Sequence, residues 1–415
     1  MAENPLHFLA RHPDYRRYFL GMLPVTFGGQ IEAVTIGWQV YSIARQTLSI
    51  EQSAFMVGMV GLAQFAPLFA LTLFAGTLAD RVSRKAIVFW ALLTEMIGVL
   101  ALMIVSLQSA PSLTTIFVIA GLFGASRAFL SPATNALVPM LVSRSDMPRA
   151  MSFSMMVWMG SVIIGPFFGG LLVAHSVATA YGVTAMLYVL GVAMILTIRA
   201  HTTPERQAGH ALTLLREGLA YVWKNKVVFG AISLDLFAVL LGGATALLPA
   251  FATDILKVGP LGFGLLRAGP AVGGLLMAAW LSVYPITRAA GVKMFLGVAA
   301  FGLATIAFGL SRNMWMSLAA LVVLGAGDMV SVNVRQVLIQ IVTPDHMRGR
   351  VSAVSGLFIS GSNELGEFET GVVSRFVGPV MAAVLGGIGT LIVTGAWAAW
   401  FPALRRADRL DHPHD

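Results

Sequence analysis

Twelve runs of apolar residues, each about as long as a bilayer is thick, restrict this chain to very few folds. A hydrocarbon core of roughly 30 Å takes about 20 residues of helix. Runs of that order fall at residues 18–43, 53–78, 86–107, 112–142, 150–174 and 178–198, and again at 227–252, 262–286, 292–310, 314–342, 351–373 and 378–401. In hydrocarbon every backbone N–H and C=O must be paired within the protein, which leaves helices and closed barrels. Barrel strands need only about 10 residues. The runs therefore predict an all-α integral membrane protein with 12 transmembrane helices. Composition agrees, because 57% hydrophobic and 11% charged residues give more apolar surface than a water-soluble core can hide.

A net charge of +8 invites a nucleic-acid reading, so the positions of the cations decide. With both termini placed in the cytoplasm, twenty of the 27 Lys and Arg residues fall on the inner side and five on the outer side. The remaining two, Arg127 and Arg335, lie inside spans. That asymmetry is the positive-inside pattern and accounts for the basic balance without nucleic acid. Arg11, Arg16 and Arg17 precede an apolar run too long for a cleavable signal, so the first run is expected to stay as a helix.

The polar break after residue 199 separates six spans from six. It predicts an N-terminal bundle over 1–199, a cytoplasmic linker over 200–226, a C-terminal bundle over 227–402 and a tail over 403–415. Within the linker, apolar residues at helical spacing, among them Leu219 and Val222, suit an amphipathic helix on the membrane surface. The two halves share a layout of runs and loops, though few identities, so they predict pseudo-symmetric bundles.

An ionised side chain near the bilayer centre costs at least about 2.5–3.5 kcal/mol, so those that persist face protein or a water-filled cavity. The candidates are Glu32, Glu95, Arg127, Asp235, Asp328, Arg335, Glu364, Glu367 and Glu369. Arg127 sits halfway along its span and is permanently charged. It can attract an anionic substrate, set the protonation of a nearby carboxylate, or make a structural ion pair, with Glu32 as one partner. Asp328 and Arg335 are seven residues apart, on one helix face and about 10.5 Å apart along the axis. A cavity stripe and an inter-helix salt bridge explain them equally. In the run Ser362-Asn363-Glu364-Leu365-Gly366-Glu367, the two glutamates lie about 60° apart around the helix. Both cannot comfortably be ionised in low dielectric, so a shared proton follows, unless Glu367 and Glu369 reach headgroup water.

Between the second and third runs stands Gly76-Thr77-Leu78-Ala79-Asp80-Arg81-Val82-Ser83-Arg84-Lys85. A loop that only needs to stay cytoplasmic needs only cations, so Asp80 is the unexpected residue. A carboxylate held among cations, or against a helix N-terminus, can latch one conformation and release in another. The stretch resembles the helix 2–3 loop of the major facilitator superfamily at Gly76, Leu78, Ala79, Asp80, Arg81, Arg84 and Lys85, with Ser83 where that family usually has Gly. The resemblance implies the major facilitator fold, with spans 1, 4, 7 and 10 lining a central cavity. Arg127 resembles the span-4 Arg of drug-exporting members, although Leu130 and Ser131 depart from the Gln-Gly that usually follows. Gly160, Gly165, Pro166, Gly169 and Gly170 resemble an element of antiporter branches, which implies export. Further pieces, Tyr15-Arg16-Arg17-Tyr18 and Trp38-Gln39-Val40-Tyr41 among them, resemble the branch containing the enterobactin exporter and macrolide efflux proteins.

The expectation is then a secondary active transporter in the bacterial inner membrane. It exchanges protons for a siderophore, drug or other amphipathic molecule by alternating access, and works as a monomer without cofactor or metal. Proton coupling is expected at Glu32, Arg127, Asp328, Glu364 and Glu367. Substrate contacts are expected at Glu32, Arg127, Asp235, Asp328, Arg335 and Asn363, and the latch at Gly76, Asp80, Arg81, Arg84 and Lys85. The sequence carries no Gly-x-x-x-x-Gly-Lys-Ser/Thr for a primary pump and no cysteine, His-Glu-x-x-His or Gly-x-Ser-x-Gly for a membrane enzyme. An importer or uniporter of a small polar solute is the rival reading.

Overall fold

The computed structural model describes residues 5–79, 81–203 and 211–407. Among them every regular element is helical. A short α1 (Pro5–Arg11) precedes six long helices: α2 (Pro13–Ala44), α3 (Ile50–Ala79), α4 (Arg84–Ser106), α5 (Leu113–Leu141), α6 (Met147–His175) and α7 (Val177–Leu196). After the linker helix α8 (Ala211–Lys224) come α9 (Lys226–Gly242), the single turn α10 (Leu248–Ala250), α11 (Gly259–Val283), α12 (Ala290–Leu310), α13 (Met314–Val342), α14 (Asp345–Trp400) and the short α15 (Pro402–Arg405). Starts are set by local side chains: Asn225 and Asn313 each accept two first-turn N–H groups, and Ser112 and Ser176 accept one each.

Among the described residues, eleven helices are long and apolar enough to cross a membrane. One of them, α14, has 56 residues. At 1.5 Å per residue that is about 84 Å, far beyond one bilayer core. It breaks at Gly378, whose φ of 82° only glycine adopts without strain, and Pro379 follows with no N–H to offer. Two spans meet there, which brings the total to the expected twelve.

The seventh span departs from expectation. Instead of a continuous helix over 227–252, α9 stops at Gly242 and the chain continues through a 3₁₀ turn (Thr245–Leu247), α10 and a π turn (Phe251–Ile255). The Gly242–Gly243 pair has the weakest helical preference of the run apart from Pro249. The Thr370 hydroxyl, 2.8 Å away, donates to the Gly243 carbonyl that the break leaves free.

Polarity along the helices is inverted relative to a soluble protein. On α4, Trp90, Ile97 and Ile104, seven residues apart, are exposed, while the opposite face buries Leu92, Glu95, Val99 and Leu102. The charge is inside and the tryptophan outside, which is the arrangement lipid demands.

The chain forms two compact units, residues 1–43 with 63–209 and residues 44–62 with 210–415. One division falls between residues 209 and 210, and the N-terminal part of α3 groups with the second unit. There Gly58 and Gly61 lie at backbone contact with α14; a Cβ on Gly61 would stand 2.7 Å from the Glu364 carbonyl oxygen. The linker helix α8 also belongs to the second unit. Glu217 pairs with Arg350, the Tyr221 hydroxyl donates to the Val342 carbonyl at 3.0 Å, and Val222 is buried. Leu219, expected on an apolar face lying on the membrane surface, is exposed like Trp223, and Gly218 takes the inward position against the Arg350 backbone.

Close helix approach uses missing side chains in both units. In the first, Gly165 and Gly169 of α6 pack on Gln30 and Val34 of α2, and Gly124 of α5 on the backbone of Gln64 in α3. In the second, Gly325 of α13 packs on Pro270 of α11 in the same manner. A Cβ on Gly124 would lie 2.7 Å from the Gln64 carbonyl carbon. Gly124→Val should therefore cost about 1–3 kcal/mol as overpacking. It should also move Gln64, seen as a lower melting temperature in detergent; an unchanged melting temperature would contradict this packing.

Candidate functional site

In the first unit five helices converge on one polar cluster. α2 supplies Glu32, α3 Gln64, α4 Glu95, α5 Ser126 and Arg127, and α7 Tyr188. Glu32 is 1% exposed and Glu95 4%. An Arg127 N–H donates to the Gln64 side-chain oxygen at 2.7 Å, and another reaches Glu32 Oε1 at 3.4 Å. The Tyr188 hydroxyl donates to Glu32 Oε2 at 3.0 Å. Glu95 lies beside the hydroxyls of Ser126 and Tyr188 and within the field of Arg127. One turn towards the N-terminus of α5, Gly124 allows the contact with α3 that presents Gln64 to the arginine. Two buried acids thus share one permanent cation that is itself partly exposed.

Of the expected site residues, Glu32 and Arg127 come together here. Glu95, a candidate by its charge, is in neither the expected coupling set nor the expected cargo set, and Gln64 and Tyr188 are not among the candidates. Gln and Tyr carry no charge, and Glu95 stands in the third span, outside the four that the resemblance favours. Their signal in the sequence is polarity in the middle of an apolar run.

The second unit holds another pair. Arg335 of α13 contacts Asp235 of α9, with side chains 3% and 8% exposed. Of the two readings of Arg335 and Asp328, a cavity stripe and an inter-helix salt bridge, Arg335 takes the second, with α9. Asp328 lines a small cavity with Asp235, Ser331 and Phe301. Its volume of about 10 Å³ holds at most one water molecule. Glu364 and Glu367 lie half-buried on α14 where Gly58 and Gly61 of α3 approach. Asn363 is exposed, and its amide nitrogen donates to the Ile359 carbonyl at 3.1 Å.

Asp80 lies outside the described residues. Around it, Gly76 is half-buried near the end of α3 and Arg81 is exposed. Arg84 donates to the Ala136 carbonyl of α5 at 2.6 Å. The Lys85 ammonium donates to the Leu196 and Ile198 carbonyls at 2.8 and 2.6 Å, capping the end of α7. Ser83 has a φ of −52°, which needs no glycine, and its hydroxyl meets that of Thr202 at 2.7 Å. Two of the loop's cations therefore tie three helices of the first unit together. Of the antiporter-like residues, Gly160, Gly165 and Gly169 face α2, and Pro166 and Gly170 are buried.

These helices and their charged seams match a known family: the profile of the transmembrane secretion effectors fits residues 10–414. The chain belongs to that family. This transmembrane secretion effector, a major facilitator protein, is 27% identical over 391 residues to the enterobactin exporter EntS of Shigella boydii serotype 4 (strain Sb227), with 94% of this chain and 92% of the relative covered. The same identity and coverage hold for the enterobactin exporter EntS of Escherichia coli O1:K1 / APEC. Among solved structures, a POT family transporter in complex with a thioalcohol-conjugated peptide superposes with a TM-score of 0.74 at 11% identity, covering 94% of this chain and 96% of that one. A bacterial homologue of the iron transporter ferroportin gives 0.68 at 18% identity, covering 96% and 100%. These likenesses show the major facilitator fold, and the chain is a multi-pass membrane transporter.

Branch-like motifs find structural roles. The Tyr15 hydroxyl donates to the Ala150 carbonyl at 2.7 Å, and that of Tyr181 to the Gln39 side chain at 2.7 Å. Near Tyr15, the loop carboxylate of Asp146 accepts from Ser143 and lies 2.9 Å from His12 and 3.2 Å from Arg11. Hydrogen bonds from Ser143 and His12, with the Arg11 charge, hold Asp146 below the usual carboxylate range. A lowered folded-state value stabilises above the unfolded value and is lost as pH falls through the folded one. Asp146→Asn should lower the melting temperature at neutral pH, and the difference from wild type should vanish in acid below that range. A difference that persists there would contradict the assignment.

Proposed function

We propose that this protein exports an amphipathic small molecule, a siderophore or drug, across the bacterial inner membrane by alternating access in exchange for protons. The observation that carries the reading is Arg127. It is a permanent cation at membrane depth, held between the buried Glu32 and Gln64. Such a group at that depth is expensive, and a site that binds a proton or an anionic cargo group is the function that repays it. The relatives support export, since their name is that of an exporter of enterobactin.

In this reading Glu32 and Arg127 couple protons to cargo, with Glu364, Glu367 and Asp328 as the carboxylates of the second unit. Asp235 and Arg335 already engage each other, so they fix α9 on α13, while Asp328 and Asn363 are left to contact cargo. The loop at Gly76, Arg81, Arg84 and Lys85 is the conformational latch, and the small face of α6 sets the export direction. The protein acts as a monomer in the bilayer, with both termini in the cytoplasm.

Uptake into inverted membrane vesicles tests this, with enterobactin and a panel of amphipathic drugs as probes. An acidic lumen should drive accumulation of at least one probe, and an ionophore that collapses the pH gradient should abolish it. Accumulation indifferent to the gradient would refute proton exchange. Movement only in the opposite direction would favour an importer.

A further inference from the structure

We propose that Glu95 is the residue on which the exchanged proton rests, and that Tyr188 connects it to Glu32. This deepens the proton-exchange reading and rests on it. Around Glu95 stand Glu32 from α2, Gln64 from α3, Ser126 and Arg127 from α5 and Tyr188 from α7.

A hydroxyl carries a single hydrogen. That of Ser126 is spent on the Ala91 carbonyl at 2.9 Å, and that of Tyr188 on Glu32 Oε2 at 3.0 Å. Two of the five Arg127 N–H groups go to Gln64 and Glu32, and none reaches Glu95 Oε1. Glu95 Oε1 is buried and receives no hydrogen bond. An ionised carboxylate can only accept, so an ionised Glu95 would be short of donors in a place where an unsatisfied charge is most costly. A protonated Glu95 has one hydrogen to give, and the lone pairs of the Ser126 and Tyr188 oxygens are still unclaimed. The surroundings are therefore built for the acid form.

The charge count agrees. With Glu32 ionised against Arg127, a protonated Glu95 leaves the cluster neutral; a second ionised acid would leave it at −1. Tyr188 stands between the two acids, accepting from Glu95 and donating to Glu32. Transfer of the Glu95 proton to the Tyr188 oxygen, with the Tyr188 hydrogen passing to Glu32, moves one proton between the carboxyls. The Tyr188 oxygen breaks one O–H bond as it forms another, and no net charge is created. The proton thus reaches Glu32, and from there it leaves the cluster as cargo binds. In this scheme Glu95 stores the proton and Glu32 exchanges it.

Infrared spectroscopy of the purified full chain reads the acid directly, through the carbonyl stretch of a buried protonated carboxyl and its shift in deuterium oxide. The wild type should show this band at neutral pH. Glu95→Gln should remove it, Glu32→Gln should keep it, and Glu95→Asp should shift it without removing it. Tyr188→Phe should shift the band, since it loses a hydrogen-bond partner, and should slow gradient-driven uptake while leaving the acid in place. A band that survives Glu95→Gln and disappears in Glu32→Gln would overturn the assignment, and so would its absence from the wild type. Because the band is read without transport, failure of proton exchange would appear separately, as wild-type uptake indifferent to the pH gradient.

Discussion

Replacing Arg127 by glutamine should bring gradient-driven uptake in inverted vesicles down to background. The amide keeps a hydrogen-bond donor near Gln64 but removes the charge that holds Glu32. Glu32 is 1% exposed and its Oε1 would lose its cationic partner. Leaving a buried acceptor unsatisfied costs about 1–3 kcal/mol. Arg127 itself is 35% exposed, so the full penalty of breaking a dry ion pair does not apply. Glu32→Gln combined with Arg127→Gln should recover the stability, because both charges then leave together, yet transport should stay lost. Recovery of transport in the double variant would show that the pair only holds α2 on α5. Retained uptake in the single variant would remove Arg127 from the site.

The pair in the second unit should behave in the opposite way. Asp235 and Arg335 are nearly dry. Breaking such a pair on one side costs about 3–5 kcal/mol, whereas replacing both sides with well-packed apolar groups is often neutral. Arg335→Met should therefore lower the melting temperature sharply, and Asp235→Leu with Arg335→Met should restore most of it along with measurable transport. If the double variant is stable but inert, the pair belongs to the cargo site. If neither variant loses stability, the contact between α9 and α13 does not carry the weight assigned here.

Most of the architecture could be read from the chain because lipid leaves so few choices. Run length alone predicts the spans, and the break between 373 and 378 already marks the turn that Gly378 makes. The irregular seventh span was hidden, since Gly242 and Gly243 read equally as helix-packing residues, and the partner that tolerates the break, Thr370, is far away in sequence. The site was half legible. Arg127 and Glu32 stand out because charge in an apolar run is rare. Gln64, Glu95 and Tyr188 become members only when α3, α4 and α7 are brought round α5, and no spacing within one helix encodes that. The same limit applies to Asp328 and Arg335: a shared face left a cavity stripe and an inter-helix salt bridge equally open, and only the fold shows that Arg335 is turned to Asp235. In the loop between α3 and α4, a carboxylate among cations pointed to a latch. The side chains of Arg84 and Lys85 show what a motif cannot, that each cation already holds a helix end.

The central claim is that a proton bound in the Glu32–Glu95–Arg127 cluster is given up when cargo binds. It is tested most directly by adding the cargo established in vesicles to purified protein in weakly buffered solution containing a pH indicator. The medium should acidify on cargo addition in the wild type, and the signal should be lost in Arg127→Gln. Cargo that binds to the wild type without releasing a proton would contradict it.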